Sequence, residues 1–124
     1  MTNEKIILGK SAEDLAADFL KRQGYRIVER NVRLGFGEID LVAWDADTLC
    51  FVEVRARTTI ELGHPLESVT YRKQRKLSKL ALAYLKKRYQ DIDRKARFDV
   101  VGIVPNEQGG TSVEVVKNAF DFCG

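Results

Sequence analysis

A chain of 124 residues has room for one domain with its own core, 1–124, and not for two of ordinary size. With 44% hydrophobic and 31% charged residues it reads as globular, and two cysteines and one histidine exclude a disulfide scaffold, a structural zinc site and a His-based triad. Lys plus Arg exceeds Asp plus Glu by 21 to 18, a net +3, so where the charge falls matters more than its sum.

No apolar run approaches the roughly 20 residues that cross a bilayer, and Met1-Thr2-Asn3-Glu4-Lys5 lacks the pattern of a signal peptide. A cytoplasmic protein without a membrane partner is expected. In chain order, Ser11 to Gln23 predicts an amphipathic helix. Ser11 is its N-cap, Glu13 and Asp14 lie in its first turn, and Ala12, Leu15, Ala16, Phe19 and Leu20 form its apolar stripe. Gly24 ends it. Tyr25 to Asn31 reads as a strand, and Arg33-Leu34-Gly35-Phe36-Gly37 as a flexible basic connection. Glu38–Trp44 and Leu49–Ala56 read as a hairpin around Asp45-Ala46-Asp47-Thr48. Thr58 to Glu67 reads as a loop, Thr70 to Tyr89 as a long helix, and Phe98–Val104 with Ser112–Val116 as a second hairpin. The expectation is an α/β domain with a mixed five-stranded sheet flanked by helices.

The central hairpin carries the chemistry. A turn centred on Ala46 and Asp47 pairs residues whose numbers sum to 93, placing Asp40 opposite Glu53, Glu38 opposite Arg55 and Val42 opposite Phe51. Cβ atoms of opposed residues lie about 5 Å apart, and two carboxylates there repel by roughly 3 kcal/mol at an effective dielectric near 20. A shared proton, basic neighbours such as Arg55 and Arg57, or a divalent cation would offset that. A solvated face of cross-strand ion pairs is one reading. Two strand-interior acids in facing register support the other, a Mg²⁺ or Mn²⁺ site.

The segments Gly37-Glu38-Ile39-Asp40-Leu41-Val42-Ala43 and Phe51-Val52-Glu53-Val54-Arg55-Ala56-Arg57 together resemble the signature of the small bacterial YraN family. That family is similar in fold to archaeal Holliday-junction resolvases and to the wider PD-(D/E)XK restriction-endonuclease-like superfamily. The resemblance runs from Gly9 and Glu13 to Arg97-Phe98-Asp99-Val100-Val101. It implies a restriction-endonuclease-like fold, with Asp40 and Glu53 as catalytic metal ligands, Glu13 as an auxiliary ligand and Gln74 as a polar residue on the following helix. Arg55 stands where the superfamily usually has lysine. Arginine supplies charge and hydrogen bonds but is effectively never a base, so the base role would pass to Glu53, a neighbouring phosphate or bulk water. A homodimer is implied by analogy with the resolvases.

From Ser68 to Gln90 there are eight basic residues and no acid. Leu77, Leu80, Ala81, Tyr84 and Leu85 supply the buried stripe, and Gln74 falls on the same side, where the hairpin carboxylates are its expected partners. The absence of acids argues against salt-bridge lacing and for a surface that tracks phosphates. Arg33, Arg57, Arg72, Lys73, Arg75, Lys76 and Lys79 are its candidate residues, and Arg30 and Arg55 would extend it toward the acids. His64 in its loop reads as incidental and Cys50 as a small core residue. Trp44, Phe98, Phe120 and Phe122 read as packing, with no aromatic interleaved with the basic helix. The sequence therefore supports a metal-dependent, nuclease-like protein acting on nucleic acid, with DNA the favoured partner. A binding module of the same fold that has lost turnover, and a structural or partner-binding protein, stand as alternatives.

Overall fold

In the computed structural model the structure describes residues 2–56 and 69–123, with side chains from residue 12 onward in the first stretch. The expected 58–67 loop with its His64, and Arg57, lie outside the described residues. The elements run α1 (Thr2–Arg22), β1 (Arg26–Leu34), β2 (Gly37–Asp45), β3 (Thr48–Ala56), α2 (Tyr71–Arg88), β4 (Ala96–Pro105) and β5 (Thr111–Phe120).

Ser11 does not cap α1. The helix begins at Thr2, which moves Glu13 and Asp14 out of the first turn and into its middle. The residues between contain no proline, and Glu4, Lys5 and Leu8 are good helix formers, so nothing local stops the helix at Ser11. The basic connection after Asn31 is shorter than its composition suggests. Arg33 and Leu34 belong to β1, Gly37 opens β2, and only Gly35 and Phe36 turn the corner. β5 also runs on past Val116 to Phe120.

All five strands form one sheet in the order β1-β2-β3-β4-β5. β3 and β4 are parallel, and the other neighbours are antiparallel. The parallel pair requires a crossover, and α2 lies between its strands in the chain. Each face of the sheet is covered by one helix, as alternation along the strands demands. Leu41, Ala43, Cys50, Val52, Val101 and Ile103 pack with Ala12, Ala16, Ala17 and Leu20 of α1. Val42, Leu49, Phe51 and Phe98 pack with Leu77, Leu80, Ala81, Tyr84 and Leu85 of α2, the stripe read from the sequence. Gly37 lets α2 approach closely, since a Cβ there would lie 3.0 Å from Lys76 Cε and 3.3 Å from Leu80 Cδ1.

The alternation fails at one place in β2. Leu41 and Ala43 face α1, yet Ile39 packs with Val42 on the α2 side, three residues away instead of two. The pleat is therefore interrupted at Asp40. β1 shows the matching break, with Arg30 paired to Asp14 of α1, Val32 buried under α2, and Asn31 between them at φ 52°.

Candidate functional site

The hairpin turns where the sequence places it, on Ala46 and Asp47, and its ladder sums to 93 from Asp45↔Thr48 to Leu41↔Val52. There it stops. Asp40 and Glu53 are not a bonded pair, and Glu38 does not face Arg55. Beyond Val52, β3 continues beside β4 alone, from Glu53↔Val100 to Ala56↔Ile103, while β2 continues beside β1 through Val32↔Ile39 and Arg33↔Glu38. The two strands fork. The fork leaves the Val54 N–H without a strand carbonyl, and it donates to Asp40 Oδ2 at 2.8 Å instead. One acid thus holds the fork open and is fixed in place by it.

Burial pushes the Asp40 carboxyl up to about 7 from an ordinary 3.8. The Val54 N–H opposes this, the negative charges of Glu53 and Glu13 add to it, and the Lys73 ammonium lowers it. Those influences place acids from α1, β2 and β3 and a cation from α2 around one point. Glu53 shares its face of β3 with Leu49, Phe51 and Arg55, and its Oε2 lies 3.5 Å from Lys73 Nζ. Glu53, Arg55, Val69, Thr70 and Lys73 line a cleft of about 250 Å³.

The start of α2 is built locally. Thr70 accepts a hydrogen bond from the Lys73 N–H at 3.2 Å, an N-cap that fixes where Lys73 leaves the helix. Gln74 is half-buried as expected, but its Nε2 donates to the Val69 carbonyl at 2.8 Å and not to a carboxylate. A backbone acceptor five residues back lies nearer than the acids across the fork.

Hard divalent cations take carboxylate and water oxygens, and Mg²⁺ is commonly held by one or two carboxylates with waters completing the shell. Asp40, with a desolvated carboxyl crowded by two other acids, and Glu53 beside it meet that requirement. Among the described residues no three His, Cys, Asp or Glu side chains stand close enough to form a larger cage. Glu13 is accordingly near enough to repel Asp40 without joining it in a three-acid set.

The basic residues divide. Arg30 pairs with Asp14, Arg33 with Glu38 at 3.5 Å and Arg88 with Glu29 at 2.9 Å. Arg30 is thereby taken up on the α1 side and does not extend the basic surface toward the acids. Lys73 turns inward to Glu53. Arg72, Arg75, Lys76 and Lys79 have no carboxylate within ion-pair distance among the described residues, and together they line a second cleft of about 450 Å³ with Phe36 and Tyr71. Those two rings correct the expectation that no aromatic accompanies the basic helix. A large apolar residue between two glycines in a turn, and a tyrosine off the buried stripe just after an N-cap, were the available signals.

A further group was not legible as a unit. Asp99, fully buried in β4, accepts from Tyr25 Oη at 2.6 Å, from Arg97 Nε at 2.9 Å and from the Asn118 N–H at 2.9 Å. Arg97 also donates to Asp45 at 2.6 Å, where Lys117 adds a contact at 3.2 Å. The signal that marks Asp40, an acid inside an apolar strand, marks Asp99 equally.

The family matched by this chain, over residues 12–103, is described as Uncharacterised protein family UPF0102. The chain belongs to the UPF0102 family. This agrees with the YraN resemblance of the two hairpin segments. The chain is 47% identical over 121 residues to a UPF0102 protein of Desulfosudis oleivorans, covering 98% of this chain and 95% of the relative. It is 43% identical over 123 residues to one from Chlorobium chlorochromatii, covering 95% and 94%. A solved structure of Pyrococcus furiosus SfsA in complex with Ca²⁺ is similar at a TM-score of 0.42 and 19% identity, over 91% of this chain and 62% of that one. The fork, the basic cleft and the Asp99 network are thus features of a UPF0102 chain, and all but the last residues of β4 and the whole of β5 lie within the matched span. Among the described residues no helix is long and apolar enough to cross a membrane.

Proposed function

We propose that this UPF0102 protein binds nucleic acid, DNA above all, and hydrolyses phosphodiesters at the Asp40–Glu53 fork with a bound Mg²⁺ or Mn²⁺. The observation that carries this reading is Asp40. It is held at the opening of the hairpin by the Val54 N–H, its carboxyl is pushed up to about 7 by burial and by Glu53 and Glu13, and a row of cations without acid partners among the described residues lies on α2.

Asp40 and Glu53 would hold the cation, with Glu13 reaching it through water. Such an ion supplies Lewis acidity toward a phosphoryl oxygen and lowers the pKa of water. The chain's own residues do the rest. Arg72, Arg75, Lys76 and Lys79 hold the polyanion by its phosphates, which positions without reading sequence. Arg55, on the face of β3 it shares with Glu53, stabilises charge gathering on the phosphoryl oxygens. Gln74, tied to Val69, fixes the segment entering α2 and so the wall of the cleft. The Lys73 ammonium neutralises Glu53 until phosphate or metal competes for it.

Incubation with Mn²⁺ and labelled junction, flap and single-stranded DNA tests the reading. Cleavage that disappears in Asp40→Ala and Glu53→Ala supports it, and cleavage unchanged in both removes the fork from the chemistry. The contact of Lys73 with Glu53 favours a second reading, in which an internal ammonium has replaced the metal and the fold binds without turnover. Salt-dependent DNA binding indifferent to Mg²⁺, with no cleavage of any substrate, selects that one.

A further inference from the structure

Phe36 and Tyr71 come from different elements, the turn between β1 and β2 and the first residue of α2, yet they meet in one cleft of about 450 Å³. Neither ring belongs to either core cluster, and they are 51% and 64% exposed. Large aromatic side chains left this open have given up the burial that would stabilise the fold, by about 2 to 3 kcal/mol each for full burial. Every other residue of the cleft is a cation, Arg72, Arg75, Lys76 or Lys79, and the Arg75 guanidinium stands 6.0 Å from the centre of the Tyr71 ring. No carboxylate lines it.

We propose that this cleft is a stacking platform for unpaired nucleotides, with Phe36 and Tyr71 receiving base faces and the four cations receiving the phosphates on either side. The inference rests on the nucleic-acid reading above and deepens it by naming the form of substrate, a single-stranded stretch or an unpaired end. Base faces are available only outside a duplex, and aromatic rings beside cations accept any base because every base has a π-face. A fully paired duplex satisfies the cations and leaves both rings without a partner. An acidic peptide would do the same. The platform also adjoins the fork. Tyr71 and Arg72 line it, while Thr70 and Lys73, their chain neighbours within one helical turn, line the cleft of Glu53. A strand stacked on the platform passes the carboxylates about 5 Å further along the helix.

Fluorescence anisotropy at low salt tests the platform with a labelled oligothymidylate, a labelled duplex and polyglutamate as competitor. The wild type is expected to prefer the single strand. Phe36→Ala with Tyr71→Ala should weaken single-strand binding by about tenfold or more per ring while leaving duplex binding and the salt dependence unchanged. Lys76→Ala with Lys79→Ala should weaken both and flatten the salt dependence. Phe36→Tyr with Tyr71→Phe, which keeps both rings, should restore the preference. Equal loss on both nucleic acids in the ring variant, no loss on either, or polyglutamate displacing oligothymidylate equally well from wild type and ring variant overturns the platform alone. A wild type that binds neither nucleic acid overturns the nucleic-acid reading beneath it.

Discussion

Asp99 and Asp40 are both strand-interior acids, placed in opposite circumstances. Asp99 is fully buried and its two oxygens receive Tyr25 Oη, the Arg97 fork and the Asn118 N–H, with Asp45 and Lys117 extending the network. Asp40 is half-buried, receives the Val54 N–H among the described residues, and faces two more acids across the fork. A buried charge whose acceptors are filled is a fixture of the structure, because removing either partner strands the other. A carboxyl crowded by like charge stays ready to take up a proton or a cation. The first arrangement ties β4 to β1, β2 and β5, and the second leaves the molecule a place to act.

The largest effect should come from breaking the filled site. Asp99→Ala leaves Arg97 and the Tyr25 hydroxyl without their acceptor and is expected to cost about 3–5 kcal/mol in urea or thermal unfolding. Any response of stability to Mg²⁺ in the folded remainder should be untouched. If Asp99→Ala were nearly neutral, the contrast between the two acids would be lost.

Asp40→Asn should act in the opposite direction. The folded carboxyl titrates near 7 against 3.8 when unfolded, so its native state binds the proton more tightly. The contribution of Asp40 to stability is therefore fully present below about pH 3.8 and lost as pH rises through about 7. Measured in chelator, Asp40→Asn should match the wild type at pH 4 and exceed it by about 2 kcal/mol at pH 8, after allowing for solvent screening at a half-buried group. Asparagine keeps an oxygen for the Val54 N–H. With millimolar Mg²⁺ added at pH 8, the wild type should recover about 1 to 3 kcal/mol by mass action and the variant nothing. A gap that shrinks from pH 4 to pH 8 would reverse the assignment.

The smallest effect sharpens the comparison from outside. Arg33 and Glu38 form an exposed pair across β1 and β2, so Arg33→Ala should change unfolding stability by less than about 0.5 kcal/mol. If that residue belongs to the phosphate-holding surface, the same change still reduces the salt dependence of DNA binding.

Much of this arrangement could be read before any coordinates. The two-residue turn at Ala46 and Asp47 sets the register of the central ladder, and an apolar stripe with no acids sets the inner and outer faces of α2. The two fork acids were found by their local oddity, as charges inside apolar strands. The same oddity at Asp99 did not disclose its partners, because Tyr25 lies 74 residues away and only the sheet brings the two together. Gln74 was placed on the correct side of the helix but given the wrong partner, since which acceptor lies nearest depends on how the chain enters α2. The meeting of Phe36 with Tyr71 was likewise invisible, each looking incidental in its own segment.

Periodicity and turn chemistry, both local, were enough for this sequence to specify the strands, the helices, the central register and the identity of the crowded acids. Where the hairpin forks, which acids are filled and which are left open, and which side chains share a cleft were decided by the assembled sheet. Those outcomes depend on distances between residues far apart in the chain, and a carboxylate's chemistry follows from its neighbours in space.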